Sequence, residues 1–208
     1  MILPNSTDFD PRLIAQLQFI LELDRLKQIL RQTSLTDNSR RENSAEHSWH
    51  LAVMAIALSE YAHKPINTNH AVQLLLLHDV VEIDAGDTFC FDEQSNQSKV
   101  ERELQAAQRI FGLLPTDLAV TFRALWDEFE AGETPEAQFA RAMDCFQPFL
   151  HNLQTQGGTW RKYGVSRERV LQRLQAVKIG APALWGFVET QIAEAIAAGY
   201  LTDSVQSA

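Results

Sequence analysis

Four consecutive leucines, Leu74 to Leu77, run straight into His78-Asp79, and this junction constrains the fold more than any other stretch of the chain. So apolar a run belongs in the interior, and it carries the imidazole and carboxylate behind it inward. A buried carboxylate is costly unless it is paired or bound to a metal. One imidazole nitrogen and one carboxylate oxygen suit borderline divalent cations. Upstream, His47 lies in ENSAEHSWH; downstream, Asp144 lies in FARAMDCF, also on an apolar helical stretch. Together they read as one H…HD…D metal set. Spacing alone leaves the alternative equally open: a surface histidine, a helix-end charge and an ordinary solvated acid.

Apolar residues recur at helical spacing along the whole chain. Asp10-Pro11 opens a first helix, with Leu13, Leu17, Ile20 and Leu21 on one face and Leu26, Ile29 and Leu30 extending it. Thr36-Asp37-Asn38-Ser39 is a turn cluster. Asn43, three residues before Glu46, is close to a capping-box pattern and starts a helix to about Ala62, with His47 in its first turn. The next helix is expected from about Asn69 to Ile83, apolar nearly all round. Gly86 marks its end, and Asp87-Thr88 follows in a loop. Val100, Leu104, Ala107 and Phe111 predict another amphipathic helix, and Pro115 starts one through about Glu130. Thr134-Pro135-Glu136 supplies an N-cap, a first-turn proline and an acid for a helix carrying Phe139, Met143, Phe146 and Leu150. Two more helices, from about Ser166 to about Ala198, are separated near Gly180–Pro182. Gly157-Gly158 is read as a turn and Ser204 to Ala208 as a disposable tail. No segment shows sustained period-two alternation, so the fold expected is an all-α helical bundle, residues 1–208 as a single domain.

The 208 residues can bury a sizeable core, and 45% hydrophobic with 22% charged residues is ordinary for a globular protein. With 18 Lys and Arg against 27 Asp and Glu, the net charge of −9 argues against a nucleic-acid surface. It leaves room for a small anionic substrate, because a metal and a few arginines can reverse the local field. Cys90 and Cys145 form no metal or disulfide pattern. The start MILPNSTDFDP lacks signal-peptide character and no run is long enough to span a membrane, so a cytoplasmic protein is expected. The first 85 residues hold no glycine, and neither a phosphate loop nor a dinucleotide fingerprint is present.

SAEHSWHLAVMAIAL followed by LLLLHDVVEIDAGDT resembles the HD superfamily of metal-dependent phosphohydrolases, in particular the branch of bacterial 5′-deoxynucleotidases and their eukaryotic relatives. The resemblance runs from about Leu26 to about Leu153. It implies an HD-domain helical bundle whose His47, His78, Asp79 and Asp144 hold a divalent cation: manganese, cobalt, iron, nickel, zinc or magnesium. The HDxxExxxxD spacing matches fully and implies that Glu82 and Asp87 belong to the catalytic centre. RLKQILR, aligned with its counterpart, places Arg31 where an arginine meets the phosphate or leaving group. The resemblance further implies a nucleotidase acting on small phosphomonoesters such as deoxyribonucleoside 5′-monophosphates, working as a homodimer. Phosphodiesterase or pyrophosphohydrolase action on a nucleotide second messenger is the enzymatic alternative. A degenerate HD binding module is the non-enzymatic one.

Residue chemistry supports these assignments separately. Glu82 lies four residues after His78 and three after Asp79, on a shared helix face. A carboxylate beside a metal can orient water or take its proton. Arginine suits a phosphate through its planar donor fork, with Arg40 and Arg41 next in line and Arg25 as an outlying charge. Asp84 is read as solvent-facing, His50 as an outer contact or a structural histidine, and His63, His70 and His151 as structural or exposed. Trp49 and Trp126 are assigned to core packing, and Cys145 to a small core residue. Trp185 and Phe187 mark a candidate dimer face.

Overall fold

The computed structural model describes residues 9–92 and 98–203. The Ser204–Ala208 tail lies outside the described residues. Helix α1 (Pro11–Leu23) begins with Asp10, whose side chain accepts from the Arg12 amide, and with proline in its first turn. It does not run on through Leu26 and Ile29. The chain tightens into a 3-10 turn, Asp24–Gln28, and then extends as β1 (Leu30–Ser34), paired antiparallel with β2 (Arg41–Asn43). This small hairpin departs from the all-helical expectation, though not from the helical class. Its turn is set locally: Asp37 accepts from the amide and hydroxyl of Ser39, and Asn38 takes φ 61°. Ile14 and Phe19 are the buried residues of α1, whereas Leu13, Ile20 and Leu21 face outward.

Helix α2 (Ser44–Leu58) is closed at its start by a complete capping box between Asn43 and Glu46, which fixes His47 in the first turn. Helix α3 covers Thr68–Leu77 only. The expected continuous helix to Ile83 instead winds tighter through a 3-10 segment, His78–Val81, before the short α4 (Glu82–Ala85). Leu74 and Leu75 are fully buried, but Leu76 is 45% exposed, so the leucine run has an outer side.

Helix α5 (Lys99–Phe111) buries Ala106, Ala107, Ile110 and Phe111, while Val100 and Leu104 stay exposed, a stripe rotated from the one expected. Helices α6 (Thr116–Ala131) and α7 (Pro135–Gln154) follow, the latter capped by Thr134. After α8 (Gly158–Lys162), the C-terminal region forms α9 (Arg167–Arg173), α10 (Gln175–Gly180) and α11 (Trp185–Ala197), one helix more than the spacing suggested. Gly157, at φ 90°, is a true turn glycine, since a Cβ there would lie 2.4 Å from the Tyr200 carbonyl oxygen. Gly180 lets α10 close on α7, because its Cβ would meet the Gln138 carbonyl at 2.1 Å.

Two apolar cores form. One gathers Leu51, Leu74, Leu75, Phe139, Met143 and Val177. The other gathers Phe19, Val80, Val81, Ile110, Phe111 and Trp126. Residues on either side of His78-Asp79 therefore belong to different cores, and the dipeptide sits at their seam. Among the described residues no helix is long and apolar enough to cross a membrane.

Candidate metal centre

Three elements converge at that seam. His47 comes from the first turn of α2, His78 and Asp79 from the 3-10 segment, and Asp144 from the middle of α7. His47, His78 and Asp144 each present a ligand atom within 4.8 Å of the others. His47 Nε2 is 3.1 Å from Asp144 Oδ1, and His78 Nε2 is 3.0 Å from Asp79 Oδ1. His47 is wholly buried and His78 nearly so, which removes the surface-residue alternative.

The donors fit a divalent cation on geometric grounds. His78 donates Nδ1–H to the Leu75 carbonyl at 2.7 Å, which leaves Nε2 facing the other ligands. That Nε2 is buried and makes no hydrogen bond. Two imidazoles and two carboxylates gathered at the seam form the mixed N/O set that such ions take. Burial works against a charged imidazole, yet Asp79 and Asp144 outweigh it and raise the His78 pKa to about 9. For Asp79 and Asp144 burial is likewise overcome, by His78 in the first case and Arg173 in the second, and both carboxyls lie below their usual range. A cation entering here displaces a proton from His78.

Glu82 is buried and accepts from Ser44 Oγ at 2.6 Å. Burial and then the neighbouring Asp79 push its pKa well above the ordinary value. Burial, followed by Asp79, also raises Asp87 against the pull of Arg31. Arg31 is a strand residue, in the second position of β1, just past the Leu26–Leu30 stretch expected to extend the first helix. Its guanidinium lies 3.2 Å from Asp79, 3.6 Å from Asp87 and 3.5 Å from Glu42. All three sequence-selected residues thus reach the same cavity of about 900 Å³, whose wall also includes Phe89, Phe91 and Arg173.

The other arginines are occupied elsewhere. Arg40 pairs with Glu46 at 2.6 Å, and Arg41 donates to the Leu30 carbonyl at 2.6 Å and to that of Arg31. Arg25 pairs with Glu22, and Asp84 with Arg109. Trp126 packs in the core as expected, but Trp49 is 65% exposed, on the outer face of α2. Burial pushes the Cys145 thiol up to about 12, in keeping with an inert core residue.

Several residues escaped the sequence reading. Arg173 donates to Asp144 Oδ2 at 2.8 Å from a helix beyond the recognisable motifs. Its i,i+4 pairing with Arg169 on α9, both lining the cavity, was the available signal. Glu42, in the polar run REN, is 1% exposed and stands 3.5 Å from His47 Nδ1. His151, read as structural or exposed, is buried beside it. Nothing in their local sequence context marks Glu42 or His151.

A helical bundle holding a buried H…HD…D set beside a polar cavity defines a metal-binding domain of the HD type. A family model described as an HD domain matches residues 23–185, and the chain belongs to that family. It is 52% identical to a predicted metal-dependent phosphohydrolase from Magnetospirillum magnetotacticum MS-1, with TM-score 0.88 over 92% of this chain and 96% of that one. It is 33% identical to the human 5′-deoxynucleotidase HDDC2 over 64% of this chain, and spans 65% of that relative's length. The 5′-deoxynucleotidase YfbR of Salmonella arizonae is 27% identical over 76% of this chain and 83% of its own.

Proposed function

We propose that this chain is a metal-dependent phosphohydrolase that cleaves small phosphomonoesters, with deoxyribonucleoside 5′-monophosphates as the leading substrate class. The observation that carries the reading is the convergence of Arg31, Glu82 and Asp87 on the cavity wall beside the His47, His78, Asp79 and Asp144 cluster. The similarity to 5′-deoxynucleotidases supports the substrate class. A bound divalent cation would supply Lewis acidity toward a phosphoryl oxygen and lower the pKa of water.

The protein's own groups do the rest. Arg31 exchanges part of its pairing with Asp79 and Asp87 for the phosphate, offering a planar fork of donors. Glu82, anchored by Ser44, orients the attacking water and takes its proton. Asp87, on the loop after α4 and 3.6 Å from Arg31, serves the leaving oxygen. Phe89 and Phe91, two and four residues further on, offer ring faces to a base. The test is a phosphatase screen with manganese, cobalt and magnesium over nucleoside monophosphates, cyclic nucleotides and polyphosphates. Release of phosphate from monoesters alone supports the reading, and turnover confined to cyclic or polyphosphorylated nucleotides overturns it. The polyphosphate alternative has one feature in its favour: Lys99, Arg141, Arg169 and Arg173 also line the cavity.

We also propose a homodimer formed through α11, where Phe187 is exposed beside Phe146. Analytical ultracentrifugation of Phe187→Glu against the parent chain tests it, with dissociation the expected result.

A further inference from the structure

Behind the first cluster lies a second. Glu42, His50 and His151 present ligand atoms within 4.8 Å of one another, from the middle of β2, the second turn of α2 and the last turns of α7. All of them face a single atom, Gln147 Nε2, at 2.6 Å from Glu42 Oε1, 3.3 Å from His50 Nδ1 and 3.1 Å from His151 Nε2. A primary amide has two hydrogens, and here three acceptors compete for them.

The tautomer of His151 is set from outside. Its Nδ1 lies 3.0 Å from the Ser34 carbonyl and donates to it, so Nε2 turns a lone pair toward the cluster. This is the arrangement that aims His78 Nε2 at the first cluster. Gln147 is fully buried, and its Oε1 has no hydrogen-bond partner, nor has Glu42 Oε2. A buried pocket with one carboxylate, two imidazole lone pairs and an unpartnered amide oxygen has more acceptors than protons. Such a group costs free energy as it stands, and the one cation beside it, Arg31, lies on the far oxygen of Glu42 and reaches neither imidazole nor the amide. Half a turn of the Gln147 amide exchanges its nitrogen for its oxygen and completes an O₂N₂ donor set.

We propose that Glu42, His50, Gln147 and His151 form a second divalent-cation site, separate from the H…HD…D centre. Two imidazoles with two oxygens suit zinc, cobalt or manganese. Four protein donors leave no open position, so the site is structural and not hydrolytic. It also reaches the first centre, because Glu42 Oε2 stands 3.5 Å from His47 Nδ1 and 3.5 Å from Arg31 Nε. An ion on Oε1 fixes the carboxylate that orients a ligand of the first centre and the arginine beside it.

The experiment uses cobalt(II) alone. The full chain is stripped with chelator, dialysed against cobalt, and assayed for bound metal by elemental analysis and for thermal unfolding. Two equivalents per chain are expected, falling to one in His50→Ala, a partly exposed position that should leave the fold intact. His78→Ala should also hold one equivalent, lost when both changes are combined. Gln147→Glu replaces the neutral donor by a charged one, and cobalt should raise its Tm more than it raises that of the parent. One equivalent in the parent, unchanged in His50→Ala, would overturn the proposal and leave Gln147 as the filler of a hydrogen-bonded network. So would a Gln147→Glu protein that is destabilised and not rescued by cobalt.

Discussion

Trp126 donates its indole N–H to the main-chain carbonyl of His78 at 3.2 Å. That carbonyl lies where α3 tightens into the 3-10 segment and gives up regular helical bonding. The indole thus holds the turn that points His78 and Asp79 at Asp144. Trp126→Phe keeps an aromatic ring in the core but removes the indole's hydrogen bond to that carbonyl. We expect a loss of roughly 1–3 kcal/mol in stability and on the order of tenfold weaker metal retention. Denaturant unfolding and metal content after dialysis check both. An unchanged metal affinity would show that the turn holds without the indole.

Metal removal should destabilise the protein. Asp79, Glu82, Asp87 and Asp144 crowd one cavity wall, and a cation bound only by the folded state adds about 2.7 kcal/mol at a hundredfold excess over its Kd. Tm should therefore rise with cobalt or manganese concentration in the parent. It should rise far less in Asp144→Asn, which a melting series with and without metal will read directly.

Glu82 is expected to serve the chemistry and not the metal. Glu82→Gln keeps the hydrogen bond from Ser44 Oγ but cannot take a proton. Turnover should fall roughly a hundredfold or more, with metal content unchanged. Loss of metal together with activity would make Glu82 a ligand.

Arg31 holds three carboxylates in reach, so its replacement tests both charge and shape. Arg31→Lys retains the charge and loses the planar fork. Since a hydrogen bond to a charged group contributes roughly 1.5–3 kcal/mol, kcat/KM should drop ten- to a hundredfold. Arg25, half-exposed and paired with Glu22, should tolerate the same change. Equal effects at the two positions would move the phosphate contact to Arg173.

If Phe89 stacks on a base, Phe89→Ala should raise KM for a nucleoside monophosphate and spare deoxyribose 5-phosphate. Base stacking on an aromatic ring corresponds to a roughly five- to hundredfold effect. Identical losses on both substrates would assign Phe89 to holding the loop that carries Asp87.

The convergence of His47, His78 and Asp144 was legible in the sequence because each sits in a strong local pattern. The capping box of Asn43 and Glu46 fixes His47 in a first turn, and the leucine run drives His78-Asp79 inward. Thr134-Pro135 likewise starts the helix that carries Asp144. These are short-range effects of capping, proline geometry and hydrophobic burial, readable without a partner. Tertiary packing decided the rest. It placed Arg31 on a strand, because pairing with β2 outweighs the helical spacing of RLKQILR. It broke the Asn69–Ile83 helix at Leu77, where Trp126, 48 residues on, takes the His78 carbonyl. It also gathered Glu42, His50, Gln147 and His151 from three elements, with Gln147 lying 105 positions after Glu42. Contacts at that separation leave no local periodicity or cap to read; only a shared buried space brings them together.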